Sequence, residues 1–296
     1  MYIPDVRLHE PGTIAEACGL LKRYGGVSRI LAGGTDLLVD LKQGRLTGIE
    51  HLVSISKIDG LRSIEDRKDS IRIGALVTLN EASGDEKIME LFPALVDAIG
   101  SMAAFPVRNM ATVAGNIAGA VPSSDLVPFF VAAGGEAVLS SGESERSVRV
   151  ADYIVGPRET VCGECEMLIS LVIPKPLPRT GISYRKFMLR GANALAVAGV
   201  AASITLEEGA KEAISESCIV LTAVAPRPLI AREAGEHLKG KPTSRELFKE
   251  AAKIARRSAQ PISDIRGTDR YRYELVEVLS LRALEEALAR ALAGGD

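Results

Sequence analysis

The sequence predicts an α+β protein in three parts: a small α/β unit over residues 1–57, a second unit of mainly antiparallel strands plus helices over 58–176, and a C-terminal antiparallel sheet with helices over 180–296. Three observations carry that reading. Helix and strand periodicities alternate with short connections in the first stretch, the order that parallel pairing needs. From residue 60 short alternating runs flank polar turns, the mark of hairpins. The stretch PKPLPRT (174–180) places three prolines in seven residues and reads as a linker, beyond which strands soon give way to helices. A chain of 296 residues also exceeds the size at which one hydrophobic core usually stops growing, so two or three domains are expected.

Each element has its own signal. Thr13 and Glu16 form a capping-box pattern for a helix with Ile14, Ala17, Leu20, Leu21 and Tyr24 at helical spacing, and Gly25-Gly26 supplies the stop. VSRIL (27–31) reads as a short buried strand, LLVDLKQG as a short helix and HLVSIS (51–56) as the next strand. LRSIE and SIRIGA, on either side of the turn DRKD, predict a hairpin. One helix is expected over 86–104, strands around the turn SGESER within 129–150, and a last strand of this unit at LISLVIP (168–174). In the third part LAVAGVAASITLEEG and ESCIVLTAV predict two antiparallel strands around a Glu-Gly turn. REAGEHL, SRELFKEAAKIARRSA and RYELVEVLSLRALEEALARAL predict helices, the last with Leu and Val on one face and paired acids and bases on the other.

Composition narrows the function. Apolar residues make up 47% and charged residues 25%, an ordinary globular balance. The formal net charge of −2 lacks the basic excess of a nucleic-acid binder, and 4% aromatics without Trp give no base-stacking platform. No apolar run is long enough to span a bilayer, and MYIPDVRLHEPG lacks the basic and then apolar layout of a signal peptide. A cytoplasmic protein with neither a membrane span nor a nucleic-acid partner is expected. Four cysteines are too few for a disulfide scaffold at this length.

Two glycine-containing stretches can carry chemistry. Ala32-Gly33-Gly34-Thr35-Asp36 follows a strand and precedes a helix. Paired glycines remove side chains and permit positive φ, so successive backbone N–H groups can face one anion. An ordinary turn capped by Thr35 or Asp36 is the other reading. Thr112-Val113-Ala114-Gly115-Asn116, followed by Pro122-Ser123-Ser124-Asp125, offers small residues and two side chains able to donate to phosphate oxygens, or simply a buried turn. Neither stretch is a G-x-G-x-x-G fingerprint, and G-x-x-x-x-G-K-S/T is absent, so a nicotinamide or ATP site lacks its usual support.

AGGTDLL, VRNMATVAGNIAGAVPSSDLVP, FMLRGANALAVAGVAASI and SDIRGTDRYRYELVEVLSLRAL occur in that order and spacing, and together resemble the flavin subunits of the xanthine dehydrogenase and carbon monoxide dehydrogenase family of molybdenum hydroxylases. The resemblance runs essentially from end to end. It implies a vanillyl-alcohol oxidase-type FAD-binding domain of two α/β subdomains followed by a C-terminal domain of antiparallel sheet plus helices. It also implies FAD as the cofactor, with Leu31, Ala32, Gly33, Gly34, Thr35, Asp36 and Leu37 as one pyrophosphate loop and Thr112, Val113, Ala114, Gly115 and Asn116 as the other. Asp125 matches a cofactor-contacting acid, although the same carboxyl could cap the apolar segment LVPFFVAA. Met102 falls where some relatives place an aromatic residue, Leu168 where backbone meets the flavin ring, and Lys186 where a lysine lies near the ring; a surface lysine is the alternative for Lys186. Molybdopterin and 2Fe-2S clusters would belong to partner chains, a large molybdenum subunit and a small iron–sulfur subunit, in a dimer of heterotrimers. Electrons would then pass through FAD to NAD, a quinone, ferredoxin or oxygen, with no catalytic base on this chain.

Departures from the family pattern are specific. Ala114 stands where relatives usually carry glycine, which is tolerable if its φ is ordinary. Ala194 stands near where relatives often carry an acid, so no role is assigned to Arg190. Cys162 and Cys165 form a lone C-x-x-C without the two further ligands a metal site needs, and Cys18 and Cys218 read as buried thiols. Two other functions stay open at this point: a self-contained FAD oxidoreductase, and a flavin-free assembly subunit.

Overall fold

A computed structural model describes residues 5–191, 194–207, 209 and 213–294 of the chain. Among the described residues three sheets of three or more strands follow one another, and Ile154–Gly156 pairs with Glu159–Thr160 in a further two-stranded one. Arg7–His9, His51–Ser54 and Ser28–Leu31 form a parallel three-stranded sheet with His51–Ser54 at its centre. Parallel pairing of the two predicted strands is thus observed, and RLH at the edge, too short to show a period, joins them. The helix Ile14–Tyr24 covers this sheet. Thr13 Oγ1 accepts the Glu16 N–H as foreseen, but the Glu16 carboxylate reaches Gly12 N–H at 2.8 Å rather than Thr13, so only half of the capping box forms. Distant in sequence, His9 and His51 meet on this sheet at 3.0 Å, with Tyr24 stacked on His51 at 3.7 Å.

The second sheet is antiparallel throughout, in the order Ile64–Asp66, Ser70–Gly74, Met167–Pro174, Glu136–Ser140, Glu145–Arg149. Its central strand, MLISLVIP, is nearly all apolar because it is covered on both faces. The expected helix over 86–104 is corrected: Glu86–Leu91 and Pro93–Gly100 are separate helices. Pro93 cannot continue a helix from below, having no N–H, but suits a first turn. Strand structure also begins later than expected within 129–150, since Leu126–Ala132 is helical, with Pro128 in its first turn.

The third sheet runs Thr180–Phe187, Ala198–Leu206, Ile214–Thr222, Leu229–Ile230, each antiparallel to the next. Two of these strands, the first and last, were not expected. Glu208 of the predicted Glu-Gly turn lies outside the described residues. Helices Arg232–Leu238 and Asp269–Ala293 pack on this sheet and Arg245–Ser258 packs on both of them; Asp269–Ala293 buries Leu275, Val276, Leu279, Ala283, Leu284 and Ala287.

One core unites the helix Ile14–Tyr24 and Val53 with the second sheet and reaches Tyr184, Ala201 and Val220 of the third. A separate core lies under the C-terminal helices. The three parts are therefore packed against each other rather than strung out. Among the described residues no helix is long and apolar enough to cross a membrane.

Candidate functional site

The first glycine loop leaves strand Ser28–Leu31 and enters the helix Leu37–Lys42. Gly34 adopts φ +70°, and residues 31–35 are half-buried. Among the described residues the N–H groups of Gly33, Gly34, Thr35 and Asp36 donate to no backbone carbonyl. Asp36 stands at the N-cap position but makes no capping bond, so the turn is not the self-satisfied kind. Gly33 is required by a neighbour: a Cβ there would lie 1.9 Å from Met110 O. Backbone presses on backbone at this point, and the segment it presses on leads directly into the second loop.

That second loop is held from below. Leu79 N–H donates to Ala111 O at 2.8 Å and Val113 N–H to Val77 O at 3.0 Å. Thr112 then caps the helix Val113–Ala118, its hydroxyl accepting Gly115 N–H at 2.9 Å. The expected role of Thr112 as a phosphate donor is thereby narrowed, since its oxygen already serves the cap and only its proton remains to be given. A Cβ on Gly115 would lie 2.7 Å from that hydroxyl. Asn116 accepts Ser124 Oγ at 2.6 Å through Oδ1, which turns its amide nitrogen into a donor without a partner among the described residues. Ala114 is helical, keeps a negative φ and is 3% exposed, its methyl packed in the core. The departure at this position is accommodated.

Arg158 closes the seam between the loops. Its N–H donates to Ala120 O at 2.8 Å, and its guanidinium pairs at 2.7 Å with buried Asp40, in the helix that follows the first loop.

Asp125 and Lys186 come together from distant segments. Asp125 accepts the Tyr184 hydroxyl at 2.6 Å and the Lys186 ammonium at 2.9 Å. The Lys186 side chain is 3% exposed, which corrects the surface-lysine alternative. Asp125 makes no capping bond to helix Leu126–Ala132, which corrects the cap alternative. Burial pushes its carboxyl above the usual range, against the opposing pull of Lys186 and Tyr184; burial also lifts the Tyr184 phenol well above its ordinary value, so it stays a donor. Tyr184 was missed because its strand was missed. Residues two apart on a strand share a face, so Lys186 would have pointed to it.

The C-terminal part braces the same loop. Thr222 Oγ1 donates to Pro122 O and Ser124 O, both at 3.0 Å, and Ala223 N–H to Pro122 O at 2.9 Å. Ala223 holds φ +62°, and its carbonyl accepts buried Arg272 at 2.9 Å. Arg272 in turn binds Asp264 at 2.6 Å, whose carboxyl is held far below its usual range chiefly by Arg266. The motif SDIRGTDRYR thus supports the loop that ends in Asp125, a role sequence spacing could not show.

Leu168 and Met102 are placed less directly. Leu168 is 8% exposed and precedes a bulge in the pairing of Met167–Pro174 with Glu136–Ser140, the kind of irregularity that re-aims backbone groups. Met102 is half-buried, and its carbonyl accepts Arg108 at 2.6 Å; among the described residues it makes no polar contact with Asp125 or Lys186. Together the unpartnered amides, the Gly33 contact and the free Asn116 amide fit a diphosphate, the anionic part of FAD.

The family described as the FAD binding domain in molybdopterin dehydrogenase matches residues 4–176, and the CO dehydrogenase flavoprotein C-terminal domain matches 183–287. The chain is 33% identical over 283 residues to the carbon monoxide dehydrogenase medium chain of Afipia carboxidovorans, covering 96% of each. It is 27% identical to the xanthine dehydrogenase FAD-binding subunit of Escherichia coli O157:H7, again covering 96% of each. The solved structure of Hydrogenophaga pseudoflava carbon monoxide dehydrogenase lacking the Mo-pyranopterin moiety superposes with a TM-score of 0.93 at 31% identity, over 98% of this chain and 99% of that one.

Proposed function

Because the chain belongs to the FAD-binding medium subunits of the carbon monoxide dehydrogenase and xanthine dehydrogenase family of molybdenum hydroxylases, and so is a subunit of an oxidoreductase, we propose that its task is to relay electrons from a partner's iron–sulfur clusters to an external acceptor. FAD, when bound, would take electrons from one-electron carriers and pass them on one or two at a time to the acceptor. NAD, a quinone, ferredoxin or oxygen can serve as that acceptor. Substrate hydroxylation then falls to a large subunit with molybdopterin, the 2Fe-2S clusters to a small subunit, and the assembly is a dimer of heterotrimers.

The observation that carries this reading is the row of N–H groups at Gly33, Gly34, Thr35 and Asp36 without partners among the described residues, with Gly33 seated on Met110. These amides would bind the pyrophosphate, with the Asn116 amide on the other side. Asp125, Tyr184 and Lys186 hold one another in a buried cluster. That cluster would fix the direction of Lys186 beside the ring, since its ammonium is held on Asp125 at 2.9 Å. Met102 and Leu168 would contribute packing and backbone, and no side chain here is needed as a proton-abstracting base.

Purification of this chain with and without its partner chains tests the reading. A yellow protein with flavin absorbance that turns over only with partners supports it. Turnover by the isolated chain would instead make it a self-contained oxidoreductase, and a colourless chain without FAD affinity an assembly subunit.

A further inference from the structure

The first turn of the long C-terminal helix reaches the second glycine loop through one strained residue. Arg272 is 2% exposed. Its Nη1 donates to Ala223 O at 2.9 Å and its Nη2 to Asp264 Oδ1 at 2.6 Å, while Nε is buried with no hydrogen-bond partner among the described residues. Ala223 holds φ +62°, a left-handed conformation that is costly for a residue with a Cβ and not for a glycine. In that conformation Ala223 N–H donates to Pro122 O at 2.9 Å, and the adjacent Thr222 hydroxyl lies 3.0 Å from both Pro122 O and Ser124 O. Ser124 gives its own hydroxyl to Asn116 at 2.6 Å, and the next residue is Asp125, held by Tyr184 and Lys186. Asp264 does not depend on Arg272. Arg266 binds its Oδ2 twice, at 3.0 and 2.7 Å, and gives a backbone N–H to Oδ1 at 2.8 Å.

We propose that Arg272 is a positioning residue for the cofactor site, with FAD taken, as above, to be its occupant. It pins Ala223 in the left-handed turn, and the turn sets Pro122 and Ser124, and through them the Asn116 amide and Asp125. A glycine would take this turn unaided, but an alanine keeps it only while its carbonyl is held. Without the guanidinium the backbone relaxes toward negative φ. That swings the Ala223 N–H off Pro122 O and draws the Thr222 hydroxyl away from Ser124 O. Asn116 then loses the Ser124 contact that turns its amide nitrogen toward the pyrophosphate. Among the described residues the guanidinium hydrogen bonds of Arg272 go to Ala223 and Asp264 alone, so its effect on the flavin passes through the backbone at 223.

The test is a titration of the full-length apoprotein with FAD, read by quenching of flavin fluorescence, with circular dichroism to follow the fold. Arg272→Met should raise the FAD dissociation constant about tenfold, the scale of one lost charge-assisted hydrogen bond. The dichroism should stay as it is, because Asp264 keeps Arg266. The same Arg272→Met change made in an Ala223→Gly background should cost far less, since glycine holds the turn without the bond. A residue that merely stabilised the fold would cost the same in both backgrounds, and that result would overturn the positioning role. Equal FAD affinity in Arg272→Met and the original chain would overturn it too. Should Arg272→Met fail to fold, the comparison of Ala223→Gly with the double variant decides. Equal affinity there supports the role, whereas a large gap, or a double variant that also fails to fold, overturns it. An original chain without any FAD affinity would instead remove the reading of the site itself, and this role with it.

Discussion

Among the described residues four successive backbone N–H groups over Gly33–Asp36 are unspent, whereas in the loop Thr112–Asn116 the corresponding groups are mostly in use. Val113 donates to Val77, Gly115 to the Thr112 hydroxyl and Asn116 to the Thr112 carbonyl. The first loop can therefore offer main-chain donors to an anion, and the second offers a rigid wall with one side-chain amide. Their glycines differ for the same reason. Gly33 faces a carbonyl of a fixed backbone, and Gly115 faces a hydroxyl that can rotate. Similar glycine content hides two different jobs, and the first loop has less tolerance.

Four substitutions test that contrast, in decreasing order of effect. Gly33→Asp should leave the purified protein without flavin, because a side chain is driven into Met110 and a negative charge into the cradle. Overpacking against backbone should also lower stability by about 3 kcal/mol. Flavin absorbance per chain at the normal level would break the assignment of the first loop. Lys186→Met leaves the Asp125 carboxyl buried without its cation and should destabilise by about 3 kcal/mol, read in denaturant unfolding. An unchanged unfolding midpoint would show that the buried pair does not hold the far side of the second loop.

Gly115→Ala should cost about 1 kcal/mol through the disturbed Thr112 cap, with flavin affinity falling about fivefold by the same conversion. Titration of the apoprotein with FAD measures this, and a loss as large as that of Gly33→Asp would erase the difference between the loops. Ala114→Gly should be the mildest, about 0.5 kcal/mol less stable for a more flexible helix residue and unchanged in flavin affinity. Tighter binding in that variant would show that the Ala114 methyl reaches the ligand after all.

The glycine loops, the central strand and the C-terminal helices were legible because each rests on local signals: glycines at a strand end, an unbroken apolar run, and a 3.6-residue period. What was not legible depended on context. LVPFFVAA is apolar throughout and too short for its period to decide between strand and helix, and only Pro128 in a first turn favours the helix. Phe92-Pro93 breaks what composition alone read as one helix. Thr180–Phe187 was hidden behind the proline-rich linker, and Tyr184 was lost with it. The links from Arg158 to Asp40 and from Arg272 to Ala223 span more than forty residues, and spacing along a chain says nothing about them.

The position of Met167–Pro174 has a consequence for how the protein is made. This strand is central in its sheet but last in sequence, lying between Ser70–Gly74 and Glu136–Ser140. During synthesis the two outer pairs emerge first and have no common partner until it arrives. At roughly 5–20 residues per second, the first hairpin waits on the order of five to twenty seconds for the middle of its sheet. For that interval the ribosome holds a chain with open strand edges, and chaperones would meet it before any flavin could.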